Sequence, residues 1–201
     1  MPVSPVELIE CAGYRLSGST PWGTRPGTGR PGVYVVSLAA DANSAAGMTN
    51  APVNTAKVAA WMTRLPAFQL DGQPATSPAA VANRLASFWL PDESILYIGK
   101  ATSLSNRVGQ YFRTPLGDRS PHAGGHWIKT LDVLGRTTIH YAEVLDAAPE
   151  AVEAKMMGLF AASVSPESLA LHPQPALMIP FANLEGPGGR RAHGLTGTKL
   201  S

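Results

Sequence analysis

Two strand-like segments carry tyrosines in matching contexts, Gly32-Val33-Tyr34 and Tyr97-Ile98-Gly99. The second runs into Lys100 and then into a helical stretch bearing Arg107 and Tyr111. Farther along come Glu150, Glu153 and the run Pro180-Phe181-Ala182-Asn183. A guanidinium grips phosphate oxygens through two parallel hydrogen bonds, which an ammonium does less well. Four residues separate Arg107 from Tyr111, so the two share one helix face. A single carboxylate without a second acid beside it suits one hard cation that keeps most of its water, as Mg²⁺ does. Glu150 and Glu153 lie three apart on nearly the same face, and both are candidates for that carboxylate. Taken singly, each residue has an ordinary explanation: strand tyrosines pack sheets, and helical Arg and Glu face water. Together they suit the cleavage of a phosphodiester. That reaction needs a positioned water, a route for its proton, and charge relief on the phosphoryl group.

The elements that must hold these residues can be read from periodicity and punctuation. Residues 32–38 are β-branched and apolar and predict a buried strand, with further strands at 94–99 and 137–144. Apolar residues at helical spacing predict helices at 54–65, 77–90, 103–113 and 148–164. Asn54 or Thr55 caps the first of these. Ser77 caps the second, with Pro78 at its first position and Pro91 as its stop. Asp71-Gly72 marks a tight turn after Phe68–Leu70. Residues 6–14 form a short helix or strand, 126–134 a short helix, and 176–181 a short strand. Residues 17–31, with Arg25 and Arg30, are a Gly/Pro-dense loop, and 166–175 are irregular. The expected fold is α+β: one domain over 1–201, with a small mixed or antiparallel sheet flanked by helices. A helical insertion over 41–93 follows the first strand, and 186–201 form a flexible basic tail. The insertion reads either as a DNA-reading element or as a cap over the sheet.

Composition narrows the function. In 201 residues, 44% hydrophobic content is enough for one core. Only 15% of residues are charged, with a net charge of +2, so nucleic-acid binding would depend on local clustering of cations. Arg113, Arg119, His122, His126 and Lys129 form such a cluster, expected in a loop that contacts DNA phosphates. Cys11 is the sole cysteine, which excludes an intramolecular disulfide and a multi-thiolate zinc site, and it reads as partly buried. Gly124 and Gly125 lie between His122 and His126 and argue against a helical zinc pair. The first residues lack the basic and apolar regions of a signal peptide, and no apolar run approaches membrane-spanning length. A cytoplasmic protein without a membrane partner is expected.

In its order, the pattern resembles the GIY-YIG nuclease superfamily: GVY at 32–34, YIG at 97–99, a helical Arg, a helical Glu and a late Asn. The stretch ILYIGKATSLSNRVGQYFR is similar to the N-terminal nuclease domain of the bacterial excision-repair incision subunit. The resemblance covers 31–38, 95–113, 141–160 and 180–183. It implies a Mg²⁺- or Mn²⁺-dependent DNA endonuclease acting on double-stranded DNA. Tyr34, Tyr97, Arg107, Tyr111 and Glu153 would converge on one cleft, with Lys100 and Asn183 as further site residues. It implies Tyr34 as general base, with Lys100, Arg107 and the cation lowering its pKa. It favours Glu153 over Glu150 as metal ligand, because Met156 and Met157 then match the family's apolar pair. Asn183 would orient Glu153 or a neighbouring backbone group. The long separation of the two tyrosine motifs is reminiscent of restriction-type members, so a restriction or defence role is expected before repair or mobile-element cleavage. A catalytically silent nucleic-acid-binding module is the alternative.

Overall fold

The computed structural model describes residues 1–122 and 124–200. The chain opens with α1 (Pro5–Cys11), where Ser4 and Glu7 form a reciprocal capping box. Next come β1 (Gly18–Pro21) and β2 (Gly32–Ser37). The insertion follows, made of α2 (Thr55–Thr63), the hairpin β3 (Gln69–Leu70) and β4 (Gln73–Pro74), and α3 (Pro78–Ala86). After it come β5 (Ile95–Ala101), α4 (Leu104–Arg113), two 3₁₀ turns (His126–Thr130 and Leu134–Arg136) and β6 (Thr138–Glu143). The chain closes with α5 (Pro149–Ser163), α6 (Pro166–Leu171), the hairpin β7 (Glu185–Gly186) and β8 (Gly189–Arg190), and β9 (Leu195–Thr196). No helix among the described residues is long and apolar enough to cross a membrane.

The fold is α+β. Its main sheet has four antiparallel strands in the order β1-β6-β2-β5. β2 is central and buried at every position, which accounts for its unbroken apolar run. Side chains alternate between the two faces. Val33 and Val35 pack with Ile98 against α1 and α5, through Leu8, Ile9, Met156 and Phe160. Tyr34 and Val36 face a second core made by α4, the first 3₁₀ turn and the insertion.

The N-terminal and turn signals for the insertion hold, while α3 ends at Ala86, short of the Pro91 expected to stop it. The Asn54 side chain accepts from Lys57 N at 2.8 Å, and the Ser77 side chain accepts from Ala80 N at 3.1 Å. Asp71 and Gly72 have φ of 51° and 77°, as a two-residue hairpin turn of the primed kind requires. The insertion serves as a cap: Val58, Trp61, Leu85, Phe88 and Trp89 are buried in the Tyr34-side core. Its cations are spent internally. Lys57 donates to Leu131 O, Arg64 pairs with Asp118, and Arg84 pairs with Asp71.

Several expectations are corrected. First, residues 17–31 contain the edge strand β1, so the insertion follows the second strand. Second, residues 186–201 are not a loose tail over the described part. Leu195 is buried, β9 pairs with β3, and Trp61 Nε1 donates to Thr198 O at 3.1 Å. Buried Arg191 lies over Phe88 and Trp127, at 5.0 and 5.3 Å from their ring centres, and donates to the carbonyls of Ile179, Pro180 and Phe181. Third, those donations occupy the carbonyls that a strand at 176–181 would use, and no strand forms there. The stretch 166–175, read as irregular, instead begins with α6, capped by Ser165. Fourth, Cys11 is exposed.

Glu93 yields a stability test. It is 2% exposed, and neither carboxylate oxygen has a hydrogen-bond partner among the described residues. Burial raises its pKa from 4.5 to about 7. The folded state therefore favours the protonated acid, and ionisation costs stability as pH climbs from below 4.5 through 7. Glu93→Gln, which mimics the neutral acid, is expected to melt higher than the parent at pH 8 by about 2 kcal/mol of stability, with the gap closing toward pH 4. Melting curves across pH check this, and a constant gap would contradict it.

Candidate active site

Tyr34 lies opposite Gly99 and Tyr97 opposite Val36, so both rings fall on one face of the sheet, with centroids 5.9 Å apart. Gly99 makes room for them. A Cβ there would stand 2.7 Å from Tyr34 Cζ and 2.6 Å from Tyr97 Cε1. Tyr111 reaches the same cluster from α4, 5.3 Å from the Tyr97 ring, and its hydroxyl donates to Gly125 O at 2.6 Å. His122 stacks flat on Tyr111, at 4.3 Å and 8°, and its Nε2 lies 3.3 Å from Tyr34 Oη. Tyr34, Tyr111 and His122 are fully buried. Of the three tyrosines, only Tyr97 lines the open cleft, a space of about 640 Å³ that it shares with Lys100, Gly124, Glu150, Glu153 and Asn183.

Lys100 pairs with Val33, which places its side chain on the opposite face, beside α5. There its Nζ lies 3.3 Å from Glu153 Oε2 and 3.7 Å from Glu150 Oε1. The faces carrying Tyr97 and Glu153 meet because β5 is an edge strand, and the cleft opens over that edge. Asn183 fastens the edge one step back. Its Oδ1 accepts from Ile98 N at 2.9 Å and its Nδ2 donates to Ile98 O at 2.8 Å. Asn183 thus orients backbone, not Glu153. Arg107 is half-buried in an adjoining recess of about 400 Å³, lined also by Lys100, Asn106, Gln110 and Glu150.

Electrostatics revise the role expected of Tyr34. Burial pushes its hydroxyl well above the usual 10, and the neighbouring phenols of Tyr97 and Tyr111 add to the rise. Arg107 opposes this without overcoming it. Tyr97 is pushed up to about 12 by burial and then by Glu153, and Tyr111 is raised by burial and by Tyr97. Burial, helped by Arg107, holds His122 down at about 3, so its ring is neutral. Glu153 is raised by burial against the pull of Lys100.

The proposed phosphate-contacting loop is also placed differently. His122 and His126 are buried. His126 Nε2 lies 2.8 Å from His122 O, and Lys129 Nζ bonds the carbonyls of Tyr111 and Thr114. The Lys129 ammonium thus supplies donors to the last carbonyls of α4, while His126 ties the loop to itself. Arg113 and Arg119 are exposed, and Arg119 donates to Leu200 O. Sequence reasoning missed the contact between His122 and Tyr34, since a Gly-rich loop gives no sign that one histidine will enter a tyrosine cluster.

The donor set fits a hard, largely hydrated cation. Glu153 is a cleft carboxylate with 21% of its side chain exposed and Glu150 beside it, and the Lys100 ammonium at 3.3 Å would have to move aside for a cation. Among the described residues, no group of three or more His, Cys, Asp or Glu forms a closed metal cage. In comparisons with family models, curated proteins and solved structures, the chain matches none.

Gly99→Ala is expected to cost about 2 kcal/mol, because two rigid rings must give way to one methyl. Denaturant unfolding measures this, and an unchanged midpoint would show that the rings are not held at that spacing.

Proposed function

We propose that the chain is a cytoplasmic, metal-dependent DNA endonuclease of the GIY-YIG kind. One observation carries the reading: Tyr97, Lys100, Glu153 and Asn183 meet at the free edge of β5, with Arg107 in the adjoining recess. Arg107 and Lys100 bind the scissile phosphate and offset its charge. Glu153, with Glu150 beside it, would hold Mg²⁺ or Mn²⁺, which when bound supplies charge neutralisation at the phosphoryl oxygens. Tyr97 presents its hydroxyl to the attacking water from the cleft wall. Behind it, the Tyr34 ring lies 5.9 Å from that of Tyr97, centre to centre, and the Tyr34 hydroxyl lies 3.3 Å from His122 Nε2. With the imidazole protonated on Nδ1, His122 Nε2 accepts from the Tyr34 hydroxyl. The water's proton then moves inward by concerted transfer between neutral phenols, so no free phenolate is required. Phosphate anion entering the cleft favours protonated imidazole at the end of that path.

A silent binding module is the second reading. It is favoured by the complete burial of Tyr34 and Tyr111 and by the Lys100 ammonium lying against Glu153. Plasmid and branched DNA incubated with protein and Mg²⁺ separate the two. The nuclease reading expects nicks or breaks that Glu153→Ala abolishes. DNA left intact under all divalent ions, by protein that binds it, supports the silent module. His122→Phe keeps the ring stack and removes the acceptor. It is expected to lower kcat about 100-fold or more while the protein stays folded, and unchanged turnover would remove His122 from the mechanism.

A further inference from the structure

The Gly/Pro-rich segment between β1 and β2 lies along α4 as a strap. Trp22 packs edge-on against Tyr111 and Phe112, with centroids at 5.2 and 4.8 Å. Arg25 crosses the helix at Gly109, where a Cβ would stand 2.6 Å from Arg25 Nε. Thr28 O then accepts from Ser105 N and Arg30 O from Leu104 N, each at 3.0 Å, so the strap also satisfies the first turn of α4. Gly109 is thus a seat for the Arg25 side chain, and Arg25 remains exposed. Arg113, one turn farther on the same helix face, is exposed as well, and neither arginine forms an ion pair among the described residues.

The charge is one-sided. No Asp or Glu occurs between Glu10 and Asp41, nor between Glu93 and Asp118, and these two stretches are the ones the strap brings together. The acids at the margin are Glu143, paired with Arg30 at 3.2 Å, and Glu150 in the recess with Arg107. Asn106 and Gln110 lie in that recess with Arg107 and add neutral donors. Arg107 and Arg113 are about 9 Å apart along the helix axis.

We propose that the outer face of α4, with Arg25 seated on Gly109, carries the phosphodiester backbone of duplex DNA toward the cleft. The contacts are to backbone, and so set position without reading sequence. This deepens the nuclease reading and rests on it for the DNA's destination, while the surface can be tested separately.

Binding of a labelled duplex is followed across salt concentrations in a Glu153→Ala background, so that cleavage does not intervene. Arg25→Glu combined with Arg113→Glu is compared with that parent and with Lys155→Glu, a change on α5 at the other face of the sheet. The double variant is expected to bind at least tenfold more weakly. Its plot of log affinity on log salt should flatten by about 1.8, or about 0.9 for each phosphate no longer neutralised. If the Glu variants fail to fold, Arg25→Gln with Arg113→Gln gives the same slope change. Parental affinity and slope in the double variant, or an equal loss in Lys155→Glu, would overturn the surface. Equal or tighter arginine-dependent binding of duplex RNA of the same sequence would overturn the choice of DNA. Cleavage by the wild-type chain is read independently. Arginine-dependent binding without cleavage upholds the surface and defeats the nuclease reading, whereas cleavage with arginine-independent binding defeats the surface alone.

Discussion

An edge strand must satisfy its outward peptide groups or leave them to solvent, and β5 does some of each. At Leu96 the backbone of Ala182 supplies a donor, and at Ile98 the amide of Asn183 supplies both a donor and an acceptor. One step on, at Lys100, the strand faces the cleft. The whole candidate site follows from that division. Closure up to Ile98 fixes where Tyr97 and Lys100 point, and the open end lets residues from opposite faces of the sheet share one space. A fifth strand on that side would separate Tyr97 from Glu153.

The tyrosine cluster shows how packing and reactivity compete. Three phenols and an imidazole give the sheet a stiff, close-packed face, and burial holds each in its neutral form. Neutral phenols are poor bases but good relays, since each hydroxyl accepts and donates at once. The mixture of sheet packing and polar contact that made each tyrosine ambiguous in the sequence is what the proposed relay would use. Arg107 and Lys100 stand at its margin, where their charges remain hydrated and able to meet an anion.

The legible parts of the fold were those fixed locally. Asn54, Ser77-Pro78 and Asp71-Gly72 each act within a few residues, and the unbroken apolar run of β2 reports burial on both faces. Of the five residues expected to share one cleft, Tyr97 and Glu153 line it, Tyr34 and Tyr111 are buried behind it, and Arg107 lies in the adjoining recess, a division that residue types alone do not reveal. What escaped depends on distant partners. β1 is a strand because β6 offers it an edge, and no propensity in Gly18–Pro21 announces it. His122 is buried by Tyr34 and Tyr111, although its Gly-rich surroundings suggest a surface loop. Arg191 looked like a tail cation because a buried guanidinium without a carboxylate is uncommon. Two aromatic faces and three carbonyls take the carboxylate's place.

That guanidinium also orders events in time. A nascent chain emerges from its N-terminal end. The four strands of the main sheet, the strap and the helix bearing Glu153 are therefore all synthesised before Arg191 appears. Until then the carbonyls of residues 179–181 lack their clamp, and the segment ending in Asn183 is held against β5 by its own bonds at Leu96 and Ile98 and by packing. The cleft edge is among the last features to set. A half-made chain already presenting Arg25 and Arg113 would still lack the clamp on the carbonyls beside Asn183, the residue that fastens β5 at Ile98.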